Sequence, residues 1–386
     1  MLESTLAFTM GVEEEYQIID PQTRQLCARS PQILATAQFT WGSQIFQPEF
    51  RQSQIEIATP ICYSLGEVRA QLVRLRTEAI AIAAQAGYQL AAAGTHPFSD
   101  WQAQPITEKA GYQKLVQTYQ QLMQELVTFG CHIHIGIPHR AIALQVMNRA
   151  RVWLAPLLAL SASSPFWLGN DTGYASYRTC AIARLPMAGP PPLFASEREY
   201  QAMAMGFIST QTIHEKTQIC WDLRPSERYP TLEFRLSDTC TTIERTVAIA
   251  GLARGLVRTC YEQALANQPY PPISTELLRA AQWRAARWGL EAELVDVESE
   301  CLVPAGVLVA RLLAFVRPAL EAFGEWEEVC AIAQAILQQG TSATQQRAVY
   351  QQTGSLEAVV DFIVRETALS LEAVEPCRGD RSKQPI

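Results

Sequence analysis

The sequence predicts a protein of the α+β class, with strands mainly in residues 8–240 and helices in 243–369. Four segments alternate apolar with polar or charged residues at the period of two of a half-buried strand, namely 8–19, 48–60, 129–136 and 231–238. Between the first strands, 65–86 carries apolar residues at helical spacing, which predicts an amphipathic helix that covers a sheet and keeps its arginines in solvent. Helical spacing also predicts helices over 111–126 and 141–161, the second broken at Pro156. It dominates after residue 242, with helices expected over 243–266 and 275–288.

Composition and charge exclude several classes of protein. A net charge of -7 over 386 residues argues against nucleic-acid binding through phosphate contacts. The sequence has no run of about 18 apolar residues for a membrane span. Its first residues lack the features of a signal peptide, so we expect a cytoplasmic protein. We expect one domain over 1–370 and a disordered tail over 371–386.

Two histidines lie in the strand-like segment Phe-Gly-Cys-His-Ile-His-Ile-Gly at 129–136. In a strand, His132 and His134 project from one face while Ile133 and Ile135 pack beneath. Two imidazoles on the same face suit metal coordination or phosphate contact, although such a pair is a weak signal in isolation.

Acidic residues in the first strand share a face in the same way. Glu13 and Glu15 lie on one face, and Glu14 on the other. Three glutamates are also typical of a solvated edge, but the apolar flanks favour a buried strand. Two buried charges at ~4 Å repel by about 4 kcal/mol at an effective dielectric constant of about 20, so such a pair favours a divalent cation.

A second acidic pair, Glu49 and Glu56, lies in 48–60. Glu56 shares a face with Gln54, whereas Glu49 has the opposite parity. If both serve one site, a bulge or bend must lie between them, or Glu49 must sit where the chain turns after Pro48. A polar strand face in water is the alternative.

Glu233 and Arg235 share a face of the predicted strand at 231–238. Such a pair is commonly a salt bridge, but it can also place a carboxylate on a metal and a guanidinium on phosphate. Arg178 ends a loop rich in polar and aromatic residues and could bind a substrate carboxylate or bridge surface loops.

Taken together, these residues match a site for Mg²⁺ or Mn²⁺ bound with phosphate. The sequence has neither a P-loop nor a Gly-x-Gly-x-x-Gly motif, so a nucleotide would be held by metals and arginines. The set comprises Glu13, Glu15, Glu49, Glu56, His132, His134, Glu233 and Arg235.

Several blocks within 8–260 resemble the carboxylate–amine ligase family called glutamate–cysteine ligase type 2, a branch of the glutamine synthetase superfamily. They are Gly-Val-Glu-Glu-Glu, Gly-Cys-His-Ile-His-Ile-Gly, Leu-Ser-Ala-Ser-Ser-Pro-Phe-Trp, Asp-Thr-Gly-Tyr-Ala-Ser-Tyr-Arg, Trp-Asp-Leu-Arg-Pro-Ser and Pro-Thr-Leu-Glu-Phe-Arg. The resemblance implies a glutamine-synthetase-like fold: a curved, mostly antiparallel sheet with the active site on its concave face and helices outside. It also implies ATP and two or three divalent cations.

The resemblance further implies a role for each site residue. The metal ligands would be Glu13, Glu15, Glu49, Glu56, His132 and Glu233. His134 would face phosphate or substrate, and Arg235 would contact phosphate. Arg178 and Arg224 are candidates for the other carboxylate of the substrate.

The implied activity is ATP-dependent ligation of a carboxylate to an amine through an acyl phosphate, as in γ-glutamylcysteine synthesis, a step of glutathione biosynthesis. Two alternatives stay open on the residues alone: a zinc hydrolase that uses His132 and His134, and a catalytically inactive metal-binding module. The sequence does not specify the acid or the amine. Continuous apolar helix faces favour a homo-oligomer.

Overall fold

The computed structural model describes residues 7–41, 46–137 and 139–369. Within these residues, seven strands form one sheet of order β2-β3-β1-β5-β9-β8, with β4 also paired to β1. Every pairing in it is antiparallel, as expected. Two separate hairpins are β6–β7 and β10–β11. The strands are β1 (Met10–Ile19), β2 (Phe46–Pro48), β3 (Gln54–Ala58), β4 (Gln89–Ala91), β5 (Gly130–Gly136), β6 (Phe166–Trp167), β7 (Asn170–Asp171), β8 (Leu223–Pro225), β9 (Thr231–Asp238), β10 (Glu293–Asp296) and β11 (Cys301–Pro304).

Helices occupy much of the remaining chain. They are α1 (Ser30–Trp41), α2 (Leu65–Gln85), α3 (Ala110–Tyr119), α4 (Gln121–Gln124), α5 (Arg140–Ala150), α6 (Leu154–Ser161), α7 (Tyr177–Ile182), α8 (Glu197–Ser209), α9 (Ile243–Leu265), α10 (Thr275–Trp288), α11 (Ala305–Phe323), α12 (Trp326–Gln339), α13 (Ser342–Thr353) and α14 (Leu356–Leu369). The helices predicted around 65–86, 243–266 and 275–288 are confirmed. None of the helices in the described residues is long and apolar enough to cross a membrane.

The two faces of the sheet differ in chemistry because side chains alternate along each strand. On the back face, Val12, Ile133, Ile135 and Phe234 are buried in the main hydrophobic core. Helices α2, α6 and α9 contact the central strands and contribute to that core. The front face, which carries Glu13, His132, His134 and Glu233, is therefore held by an apolar layer behind it.

Glu14 points to the back face, as its parity predicts, and is fully buried there. Its Oε1 lies 2.7 Å from Nη2 of Arg76 and accepts a hydrogen bond from Thr246. Arg76 is also fully buried, so the prediction that all arginines of α2 lie in solvent was wrong for this residue. A carboxylate beneath the sheet requires this partner, because an unpaired buried charge is costly.

Some local predictions were also wrong. The long helix predicted over 141–161 breaks at 151–153 rather than at Pro156, since Pro156 lies in the first turn of α6, where an N–H would have no helical partner. The helix predicted over 111–126 is interrupted at Gln120, whose φ is 48°. Part of the predicted loop before Arg178 forms β6 and β7, and α1, α13, β10 and β11 were not predicted. The tail predicted over 371–386 lies outside the described residues.

Candidate active site

A cavity of about 460 Å³ lies over the front face of the sheet. Its floor comes from β1, β3, β5 and β9, and residues of α3, α4 and the 177–189 segment contribute to its walls. The structure brings all of the residues predicted for the site to this cavity, which is lined by Glu13, Glu15, Glu49, Glu56, His132, His134, Arg178, Arg224, Glu233 and Arg235.

Three of these residues, Glu13, His134 and Glu233, form a first cluster. The antiparallel register places Glu13 opposite His132 and His134 opposite Glu233. The side chains of Glu13, His134 and Glu233 therefore lie next to one another on β1, β5 and β9. Nε2 of His134 lies 3.4 Å from Oε1 of Glu13 and 4.0 Å from Oε1 of Glu233. One potential ligand atom of each residue falls within 4.8 Å of the others, as a shared metal ion requires.

A second cluster consists of Glu15, Glu49 and Glu56. Glu15 lies directly opposite Glu56 in the β1–β3 pair. Glu49 follows β2 at the turn into β3, so a hairpin supplies the bend that its parity required. Carboxylate oxygens of the three also fall within 4.8 Å of one another. Gln54 and the backbone N–H of Gly130 hold Glu15 by donating to its Oε2, at 2.9 and 2.6 Å.

The electrostatics of the second cluster favour a cation. Burial, followed by the charge of Glu49, raises the pKa of Glu15 to about 8. Burial and the charges of Glu13, Glu49 and Glu15 raise the pKa of Glu56 well above its usual value. Repulsion of this kind is relieved by a divalent cation, and a donor set of carboxylate oxygens fits Mg²⁺ or Mn²⁺.

The two histidines have different surroundings. Nε2 of His134 is buried and, among the described residues, has no hydrogen-bond partner, while its Nδ1 lies 2.9 Å from Oγ1 of Thr231. Nδ1 of His132 is instead hydrogen-bonded to Oε2 of Glu13, at 3.2 Å. Burial, assisted by the charge of Arg235, lowers the pKa of His132 to about 4. The family resemblance implies His132 on metal and His134 on phosphate or substrate, whereas this geometry favours His134 as the ligand.

Glu233 is held between two arginines. Nε of Arg224 donates to its Oε2 at 2.9 Å, and Nη1 of Arg235 contacts its Oε1. Burial alone would raise the pKa of Glu233, but the charges of Arg235 and Arg224 outweigh it and lower the pKa. Glu233 is therefore anionic.

Arg224 has little free hydrogen-bonding capacity. Besides its contacts with Glu233, its Nη1 donates to the carbonyls of Thr217 and Ile219, at 2.6 and 2.5 Å. These contacts favour a role in orienting Glu233 over the predicted role in binding a substrate carboxylate.

Arg178, the other predicted substrate arginine, lies in α7 and is buried. Its guanidinium donates to the carbonyls of Leu236 and Arg235, at 3.2 and 3.1 Å. It packs so closely over Gly130 that a Cβ at this position would overlap Nη2. The β5–β9 register shifts beside these residues, so Arg178 fixes the backbone that carries Arg235 rather than lying free in the cavity.

Three residues that contact the predicted site residues were not themselves predicted as part of the site. Gln54 and Thr231 contact Glu15 and His134, and their parity on β3 and β9 was a signal that could have found them. Tyr112 comes from α3, and its hydroxyl lies 3.5 Å from Oε2 of Glu49. No sequence pattern connects this helix with the sheet.

Comparisons with known proteins agree with this geometry. The family described as glutamate-cysteine ligase family 2 matches residues 9–361 of the chain. Proteins that carry the provisional name glutamate–cysteine ligase 2 are similar along nearly the whole length. One from Roseiflexus sp. (strain RS-1) is 39% identical over 368 residues, which cover 95% of this chain and 97% of that protein. One from Rhodopirellula baltica is 39% identical over 366 residues, with coverage of 94% and 97%.

Solved structures share the fold. A glutamate–cysteine ligase from Francisella tularensis in complex with AMP has a TM-score of 0.68 at 12% identity, covering 95% of this chain and 89% of that one. A bifunctional glutathione synthetase from Pasteurella multocida has a TM-score of 0.65 at 15% identity, covering 95% and 52%. At these identities, the structures establish the fold alone. The sequence matches establish the family: this chain belongs to glutamate–cysteine ligase family 2.

Proposed function

We propose that this protein joins the γ-carboxylate of glutamate to the amine of cysteine, using ATP and Mg²⁺ or Mn²⁺. As a member of its family, the chain is an ATP-dependent carboxylate–amine ligase. The choice of glutamate and cysteine rests on the names of its relatives. The observation that carries the proposal is the pair of clusters on the front face, with the guanidinium of Arg235 beside them.

Glu15, Glu49 and Glu56 would hold one cation, and Glu13, His134 and Glu233 would hold another. When bound, the cations would neutralise part of the charge on the γ-phosphoryl group of ATP, whose transfer to an unreactive carboxylate would give an acyl phosphate with a good leaving group. Nε2 of His134 supports this assignment, since it faces the carboxylates of Glu13 and Glu233 at 3.4 and 4.0 Å without a well-formed hydrogen bond to any described residue.

The protein's own contribution is positioning and charge. Arg235 lines the cavity and would stabilise negative charge that develops on the transferring phosphoryl group. Arg224 holds Glu233, and Arg178 holds the backbone at Arg235 and Leu236. These groups are fixed before substrate binds, so little reorganisation is needed during the reaction.

Product formation tests the proposal directly. ADP release should require Mg²⁺ or Mn²⁺, glutamate and cysteine together, and mass spectrometry should identify γ-glutamylcysteine. Glu233→Gln should abolish this turnover, whereas Glu262→Gln, an exposed glutamate on α9 in an i,i+4 ion pair, should leave it unchanged. A zinc hydrolase would instead show turnover without ATP. Equal activity of Glu233→Gln and the wild type would overturn the proposal.

The cytoplasmic location, the homo-oligomer and the single domain over 1–370 stay predictions. Size exclusion with light scattering would measure the oligomeric state.

A further inference from the structure

Asp222 is a buried carboxylate in the cavity that the proposed cation clusters do not use. It belongs to the Trp-Asp-Leu-Arg-Pro-Ser segment and lies two residues before Arg224. It directly precedes β8, and its side chain lines the same cavity as that of Arg224. A carboxylate held in a ligand cavity without a salt bridge needs an explanation, because burial of a charge is costly.

The position of Asp222 is fixed on three sides. Its backbone N–H donates to the carbonyl of Gly189 at 2.9 Å, and its own carbonyl accepts from the N–H of Arg235 at 2.8 Å. Nε2 of Gln282 donates to Oδ2 at 2.6 Å. No donor from the described residues bonds to Oδ1. One carboxylate oxygen is thus anchored by α10, and the other is available to a ligand.

The charges around Asp222 come from three elements. Arg178 of α7, Arg235 of β9 and Arg279 of α10 each act to lower its pKa, but burial outweighs them and raises the pKa to about 7. A carboxyl group with such a pKa both accepts and releases a proton near neutral pH. Cys220 also lines the cavity, two residues before Asp222 in the chain.

The acceptor amine poses a chemical requirement that the cation clusters do not meet. At neutral pH it arrives as an ammonium ion, whose nitrogen has no free electron pair and cannot attack an acyl phosphate. A fixed anion that accepts one proton makes the amine a nucleophile.

We infer that Oδ1 of Asp222 binds the ammonium group of the acceptor and takes the proton that it must lose. The nitrogen then forms the C–N bond, the C–O bond to phosphate breaks, and its electron pair leaves with the phosphate. The amide nitrogen keeps one hydrogen, and the third leaves on the departing phosphate as HPO₄²⁻. This inference rests on the proposed ligase activity.

A comparison of two acceptors tests the role of Asp222. Cysteine needs to lose a proton before it attacks, whereas hydroxylamine is largely uncharged at neutral pH and does not. For Asp222→Asn, we expect turnover with glutamate, ATP and cysteine to fall about 10²- to 10⁴-fold, while formation of glutamyl hydroxamate falls less than about fivefold. The lost rate with cysteine should recover as pH rises toward the pKa of its amine.

Two further variants complete the experiment. Gln282→Leu removes the hydrogen bond that anchors Oδ2 of Asp222 and should reduce the cysteine reaction more than the hydroxamate reaction. This variant tests the same role if Asp222→Asn does not fold. Asp296→Asn removes a carboxylate of β10, outside the cavity lining, and should change neither reaction. Equal losses with both acceptors, or no loss with cysteine, would overturn the role of Asp222 alone. A wild-type protein that forms neither product would overturn the ligase proposal together with it.

Discussion

Nε2 of His134 lies 3.4 Å from Oε1 of Glu13 and 4.0 Å from Oε1 of Glu233, and no donor or acceptor of the described chain forms a hydrogen bond with it. Nδ1 of the same ring is fixed by Thr231. An imidazole held on one nitrogen and directed at two carboxylates with the other is the arrangement of a metal-ligating histidine with an outer hydrogen-bond partner. In the neighbouring His132, Nδ1 is already hydrogen-bonded to Oε2 of Glu13, so that nitrogen is not available to a cation.

His134 should therefore contribute more to cation binding than His132. We expect His134→Gln to weaken Mn²⁺ binding by at least about 100-fold, and Thr231→Val, which removes the outer hydrogen bond, to weaken it about 10-fold. His132→Gln should have a smaller effect than His134→Gln. Titration of free Mn²⁺ by electron paramagnetic resonance measures each affinity without relying on turnover. A larger loss in His132→Gln than in His134→Gln would restore the original sequence-based assignment.

The three consecutive glutamates of β1 should separate into structural and functional positions. Glu14→Gln leaves the buried guanidinium of Arg76 without its charged partner, so we expect a loss of about 3–5 kcal/mol in the free energy of unfolding. The pKa of Glu15 is raised to about 8 in the metal-free cluster, which costs folding free energy at neutral pH, so Glu15→Gln should leave the metal-free protein equally or more stable while turnover is lost.

Urea unfolding in the presence of a chelator measures both stabilities, and the ligation assay measures turnover. Glu14→Gln as stable as the wild type would contradict the structural role of Glu14. A marked loss of stability in metal-free Glu15→Gln would contradict the repulsion in its cluster.

Arg224 should act through Glu233. Arg224→Gln leaves a buried carboxylate with one charged partner in place of two, and we expect a loss of roughly 3 kcal/mol in unfolding free energy together with weaker Mn²⁺ binding. Glu262→Gln is the control, because it breaks the i,i+4 pair with Arg258 at its exposed end, and such a pair contributes only about 0.3–0.5 kcal/mol. A raised KM for glutamate with unchanged stability and cation affinity would show instead that Arg224 binds substrate.

These cases show how far the sequence could be used to predict the site. Period-two alternation assigned Glu13, Glu15, His132, His134 and Glu233 to strand faces correctly, because parity depends only on local backbone geometry. Which of these side chains contact each other could not be predicted in this way, because contacts across the sheet depend on which strands pair and in which register.

Two residues illustrate the limit. Glu49 joins Glu15 through a hairpin turn, and Arg224 reaches Glu233 across the β8–β9 pair. Neither contact follows from spacing along the chain. Similarly, the sequence could not show that the guanidinium of Arg178 donates hydrogen bonds to backbone carbonyls, because these contacts depend on the packing of α7 over Gly130.

His96 makes a prediction about pH that is independent of the candidate site. It is buried, its Nε2 lies 2.8 Å from the carbonyl oxygen of Arg24, and its Nδ1 accepts hydrogen bonds from the N–H groups of Phe98 and Ser99 at 3.2 and 2.9 Å. Nδ1 must therefore stay unprotonated, with the proton of the neutral ring on Nε2. Burial lowers the pKa of His96 to about 3, despite the opposing hydrogen bond to Arg24.

The sign of the pH dependence follows from proton binding. Unfolded His96 would titrate at its ordinary pKa of about 6.5, so between about pH 6.5 and pH 3 the unfolded state binds more protons than the folded state, and stability falls as pH falls. His96→Gln does not titrate. We therefore expect a gap in unfolding free energy between wild type and variant that is largest near pH 7 and narrows toward pH 4, by an amount on the order of 3 kcal/mol. Urea unfolding at several pH values measures this gap, and a gap that stays constant with pH would mean that His96 can be protonated without loss of its two backbone donors.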